Sequence, residues 1–110
     1  IMPTKSLRIL IADADWAQAL KIEKSLNAAG YFRIAPLYDL QALVSLYDAQ
    51  VHDFDLLLLS QKMADVAAVD VEAYRKDNQQ FRHVLIYPDA DCLVPQVEAL
   101  MQTLDPSGHT

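Results

Sequence analysis

Glycine is almost missing from this chain, with Gly30 and Gly108 the only two in 110 residues. Loops that cradle phosphate with backbone amides need several glycines in close order, so a Gly-rich nucleotide loop is excluded. Cysteine is represented once, by Cys92, which leaves no internal disulfide and no need for an oxidising compartment. The three histidines, His52, His83 and His109, are dispersed and form no metal-ligand spacing. Positive charge is scarce: nine Lys and Arg stand against fifteen Asp and Glu, a formal net charge of −6. That balance disfavours nucleic acid, whose phosphates need a basic face. No apolar run approaches the ~20 residues that span a bilayer, and no basic-then-apolar leader opens the chain. No serine has the context of a nucleophile elbow. The expectation is a cytoplasmic, non-enzymatic domain with no cofactor, no metal and no contact with membrane or nucleic acid.

What is present is the composition of a folded domain, 53% hydrophobic and 22% charged. The length suits one domain, expected over residues 2–105. Ile1 precedes Met2 and is expected to be a leftover of expression. The polar, breaker-bearing end, residues 106–110, reads as a disordered tail or the start of a linker.

Leu7 to Ala12 is a short, branched, apolar run that suits a strand buried on both faces. A helix is predicted from the acidic cluster at Asp13 and Asp15 to about Ala29. Ala19, Ile22, Leu26 and Ala29 make its apolar face, Lys21 and Lys24 point away, and Gly30 provides the stop. Phe32 to Pro36 reads as a weak strand whose proline confines it to a sheet edge. Asp39 is placed to cap a second helix, with Leu40, Leu43, Val44 and Tyr47 inward. Phe54 to Leu59 is a second central strand, Val66 to Lys76 a third helix, His83 to Tyr87 a strand, and Val94 to Leu104 a closing helix. Alternating strands and helices predict a doubly wound parallel α/β sheet, with any site at the carboxyl ends of its strands. Those ends carry Asp13, Ser60 and Pro88.

The segment Arg8 to Trp16, a strand running into Asp13-Ala14-Asp15, resembles the opening of bacterial response-regulator receiver domains. Asp53 to Met63 resembles the third strand of the same family, and the order and spacing of the two segments agree over about Leu7 to Tyr87. The resemblance implies a flavodoxin-like (CheY-like) fold. It also implies a pocket where carboxylates hold magnesium and an aspartate accepts a phosphoryl group. In this chain the pocket is taken apart. Asp13 keeps the first acidic position, Ala14 replaces the second, and Ser60 stands where the acceptor belongs. The hydroxyl position falls on Pro88, or on Tyr87 if the register slips by one. The lysine-proline pair survives at most as Val94-Pro95. Lys62, in the loop after Ser60, is a candidate partner for Asp13 as a fixed substitute for the missing cation.

Only Pro88 to Asp91 separates the fourth strand from Cys92-Leu93-Val94, and a parallel crossover needs roughly a dozen residues. The fourth-helix and fifth-strand region is therefore expected to be shortened or rearranged. That change would expose the flank of the fourth strand to a protein partner or a second copy. Trp16, Tyr87, Cys92 and Leu93 are candidates for an interaction surface, with Trp16 read equally as an anchor or as a lid over the pocket. The resulting expectation is a phosphorylation-independent signalling module of a larger bacterial regulator, acting through protein contacts or dimerisation. The alternative is a receiver gated by a small molecule at Asp13, Ser60 and Pro88.

Overall fold

The structure, a computed structural model, describes residues 7–39, 41–42, 45, 54–66 and 82–104. Four strands, β1 (Ile9–Ala12), β2 (Ile34–Leu37), β3 (Leu56–Ser60) and β4 (His83–Tyr87), form one parallel sheet in the order β2-β1-β3-β4. This is a flavodoxin-like α/β order, with the doubly wound logic expected from the alternation of elements.

β1 and β3 are central and buried on both faces, which is why they read as unbroken apolar runs. Ile9, Ile11, Leu56 and Leu58 face one layer, where they meet Ala19, Ile22 and Leu26 of helix α1 (Trp16–Ala28). Leu10, Ala12, Leu57 and Leu59 face the other, against Met63 and Ala64 of α2 (Gln61–Val66). Truncating any of these leucines to alanine is expected to cost ~2–5 kcal/mol.

Asp15 caps α1, its Oδ1 accepting from the amides of Ala17 at 3.0 Å and Gln18 at 3.3 Å. The helix ends in a Schellman motif: Gly30 N donates to Asn27 O and Tyr31 N to Leu26 O, both at 2.9 Å. Gly30 sits at φ 100°, a conformation that penalises any side chain. β2 is the edge strand that Pro36 implied. The ladder turns Ala35 and Leu37 toward β1 and directs Pro36 outward, where its missing N–H breaks no bond.

The loop expected after Ser60 is instead helical from Gln61 to Val66, because the Ser60 hydroxyl at the strand's end accepts from Met63 N at 3.3 Å and starts the helix at once; of the helix expected over Val66 to Lys76, only Val66 is among the described residues. The rearrangement expected after β4 is present, with no strand at Cys92–Val94: Ala90–Leu93 form a short helix α3, Val94–Gln96 a 3₁₀ turn, and Val97–Leu104 helix α4. The closing helix thus starts earlier than Val94, with Pro95 interrupting its regular course. At Asp39 the expected cap is present, since its Oδ1 accepts from Gln41 N at 2.8 Å and residues 41–42 are helical. Leu40, Leu43, Val44 and Tyr47, the stretch 67–76 and the tail 106–110 lie outside the described residues.

After β4 the chain turns directly onto the α1 face, where Ala90, Leu93, Val97 and Met101 join the core. The remodelled region thus contains neither a helix between β4 and the closing helices nor a fifth strand. Asp89 makes this abrupt turn feasible, being extended and capping α3 through a 2.7 Å bond from Cys92 N. Among the described residues, β4 is consequently the second edge of the sheet.

Candidate functional site

β1, β3 and β4 end level with one another, so their last residues converge at one rim of the sheet. Asp13 follows β1 and is held there by its own amide, which donates to Leu37 O at 2.9 Å. The residue is only 2% exposed, and burying a carboxylate is costly unless it is hydrogen-bonded. Its Oδ1 accepts from Asp15 N at 2.9 Å, and its Oδ2 accepts from the Tyr87 hydroxyl at 2.7 Å. Tyr87 ends β4 directly opposite Ser60 in register and reaches across the end of β3 to Asp13. Burial, then the hydrogen bond to Asp13, then the charges of Asp13 and Asp15 push the Tyr87 phenol well above the ordinary tyrosine range. The phenol is therefore a fixed neutral donor. Ser60 is buried too, and its Oγ is engaged in capping α2.

The other candidates divide. Pro88 and Ala14 are exposed, and it is Tyr87, not Pro88, that stands level with Ser60 and brings a hydroxyl to Asp13. Lys62 is the second residue of α2, exposed, and forms no ion pair with Asp13. The early start of that helix removes the loop on which such a pair depended. Trp16 is 64% exposed, so it is no lid over the pocket, though it is available as an anchor. Cys92 is exposed. A hydrogen bond to Asp89 and then that carboxylate's charge push its thiol up, away from the reactive thiolate. Tyr87 and Leu93 are buried core residues and belong to no surface.

Sequence reading missed Gln18. Its Oε1 accepts from Ala90 N at 2.8 Å and so pins the start of α3 to α1. A glutamine on the polar side of an amphipathic helix carries no signal of such a role. Beside it, Lys21 Nζ lies 3.6 Å from Asp91 in a solvent-exposed pair of little energetic weight.

Among the described residues, no group of three or more His, Cys, Asp or Glu is placed to hold a metal ion. Four clefts lined by described residues include neither Asp13 nor Ser60 in their walls. Two of these clefts lie along β4. One, of about 310 Å³, is lined by Arg82, His83, Leu85, Leu100 and Leu104 among others; the second, of about 110 Å³, by Leu85, Ile86, Pro88, Cys92 and Gln96 among others. No helix among the described residues is long and apolar enough to cross a membrane.

No family model matches the chain, and no curated protein does. Among solved structures, it is similar to a protein from Burkholderia pseudomallei described as pilus assembly-related. The TM-score is 0.57 and the identity 13%, covering 100% of this chain and 97% of that one. At that identity the likeness is one of fold.

Proposed function

We propose that this chain is a degenerate receiver that signals without phosphorylation, through protein–protein contacts or dimerisation, as the regulatory domain of a larger cytoplasmic bacterial regulator. The observation that carries this reading is the buried Tyr87–Asp13 hydrogen bond. In a phosphorylatable receiver this rim must admit magnesium and a phosphoryl group, with carboxylates free to take the cation. Here the one remaining carboxylate is already bonded on both oxygens, and Ser60 is turned into a helix cap. Neither has an open side toward solvent. The same filling weighs against the small-molecule alternative, because Asp13 and Ser60 are buried with their side-chain oxygens already engaged.

The reading implies a chain with no phosphotransfer activity of its own. Incubation with acetyl phosphate and magnesium, followed by intact mass measurement, is expected to leave the mass unchanged. A phosphoryl adduct on any residue of this rim overturns the reading. A metabolite that raises the melting temperature, and loses its effect in Asp13→Asn, would favour the small-molecule alternative instead.

A further inference from the structure

We propose that copies of this chain associate head to tail, the exposed Trp16 of one entering the leucine-lined cleft beside Arg82 and His83 of the next. The proposal rests on the reading of the chain as an interaction module and names its partner.

The strands of a parallel sheet all start at one rim and end at the other, and this chain separates charge between the two. Among the described residues, Arg8, Arg33 and Arg82 each stand just before a strand, with Asp55 before β3. At the opposite rim Asp13, Asp39 and Asp89 follow β1, β2 and β4, with Asp15 beside them and Lys62 of α2 opposing them. These carboxylates accept hydrogen bonds from neutral amides and, at Asp13, a phenol, which leaves their charge uncancelled. Arg33 and Arg82 are exposed, and among the described residues neither forms an ion pair. The attraction is therefore of rim for rim and needs no particular pairing. A net charge of −6 opposes other orientations of one copy against another.

Each rim also carries one half of an apolar contact. Trp16, the first residue of α1, stands 64% exposed at the acidic rim, and tryptophan is among the residues that most often anchor interfaces. At the basic rim lies the cleft of about 310 Å³, walled by Leu56, Leu85, Leu100 and Leu104, with Arg82 and His83 completing its lining. That volume is at the small end of ligand pockets and suits one bulky side chain. A guanidinium beside an indole adds cation–π attraction. Trp16 lies at the rim opposite the cleft of its own copy and cannot fill it. The two surfaces in contact differ, so the association is heterologous and does not stop at two copies.

Sedimentation velocity of the full chain over a concentration series reaching the sub-millimolar range tests this. Species larger than a dimer are expected, and they should dissociate in roughly 0.5 M salt, where exposed charges are screened. Trp16→Ala and Arg82→Glu, both exposed changes, are each expected to weaken association by about tenfold or more in Kd. Trp16→Ala keeps the cleft and Arg82→Glu keeps the tryptophan, so mixing the two variants restores one contact and should give a dimer that grows no further. Trp16 is the only tryptophan in the chain, so its emission should shift to the blue as wild type associates. If Arg82→Glu fails to fold, that emission decides. A wild-type chain monomeric throughout, growth that ends at a dimer, a mixture no more associated than its parts, or association with unchanged emission overturns the proposal. A monomer that also takes up no phosphoryl group sinks the head-to-tail contact alone, whereas a phosphoryl adduct sinks the broader reading whatever the oligomeric state.

Discussion

The Tyr87 hydroxyl donates to Asp13 Oδ2 at 2.7 Å across the end of β3, tying the last residue of β4 to the residue that follows β1. Strands that are not neighbours in the sheet are thereby joined by a buried bond whose acceptor is a carboxylate.

Removing the hydroxyl leaves Asp13 Oδ2 buried without that donor. Tyr87→Phe is therefore expected to destabilise the chain by about 1–3 kcal/mol, read from urea unfolding as a lower midpoint at unchanged slope. Asp13→Asn should cost less when added to Tyr87→Phe than in the wild type, since the two groups act as a pair. Additive losses in the double-mutant cycle would show that they do not.

The raised phenol sets a pH dependence whose sign is fixed. Below pH about 10, the ordinary tyrosine value, Tyr87 is protonated in both folded and unfolded chains, and its contribution is present in full. As pH rises beyond that, the unfolded phenol loses its proton while the folded one, held up by burial and by Asp13, resists. Stability should then fall with rising pH. The other tyrosines and the lysines titrate there too, so the quantity to measure is the difference between wild type and Tyr87→Phe. That difference should shrink above pH ~10; a constant difference would contradict the assignment.

Much of the sheet was legible because central parallel strands bury both faces, and Leu56 to Leu59 can be read in no other solvent-facing pattern. Pro36 announced an edge, and Gly30 announced a helix stop that its φ of 100° bears out. The departures from the receiver resemblance at Ala14 and Ser60 are visible in the letters alone. The group that fills the strand-end rim is not. Tyr87 reaches Asp13 only because the strand register sets it level with Ser60, and a single-residue ambiguity at the end of β4 moves that role between Tyr87 and Pro88. Lys62 was misplaced for a related reason: a serine that ends a strand can also cap a helix, which consumes the loop the ion pair needed. The course after Tyr87 was legible only as a missing crossover, because its anchor, Gln18, is contributed from across the fold.

That anchor makes its own prediction. Ala90 N is an orphan donor at the start of a four-residue helix, and Gln18 Oε1 satisfies it from α1. Gln18→Ala is expected to cost about 1 kcal/mol. Amide exchange should show the loss concentrated at Ala90–Leu93, with β1 and β3 keeping their protection. Equal losses across the sheet would mean that α3 does not open separately.

The most direct challenge to the proposed reading is to place a carboxylate at position 60. Ser60→Asp supplies a carboxylate where the receiver resemblance expects one, yet it is not expected to gain phosphoryl transfer. The new carboxylate would sit at a position that is 3% exposed, on the same rim as the buried Asp13, with no second acidic residue at Ala14 and no cation to offset the charge. Two buried like charges disfavour each other, and the usual outcome is protonation of one or loss of stability. Aspartate still caps α2, so the helix start at Met63 N is retained. The decisive comparison is with Ser60→Ala, which loses the cap at a cost of about 1 kcal/mol but adds no charge. If repulsion dominates, Ser60→Asp should be the less stable of the two at neutral pH and should regain stability on acidification, as the new carboxyl takes a proton. Unfolding midpoints at both pH values check this, and intact mass after acetyl phosphate checks the chemistry. A Ser60→Asp chain as stable as wild type that also acquires a phosphoryl group would mean that the Tyr87–Asp13 bond opens on demand, and that the site is dormant instead of dismantled.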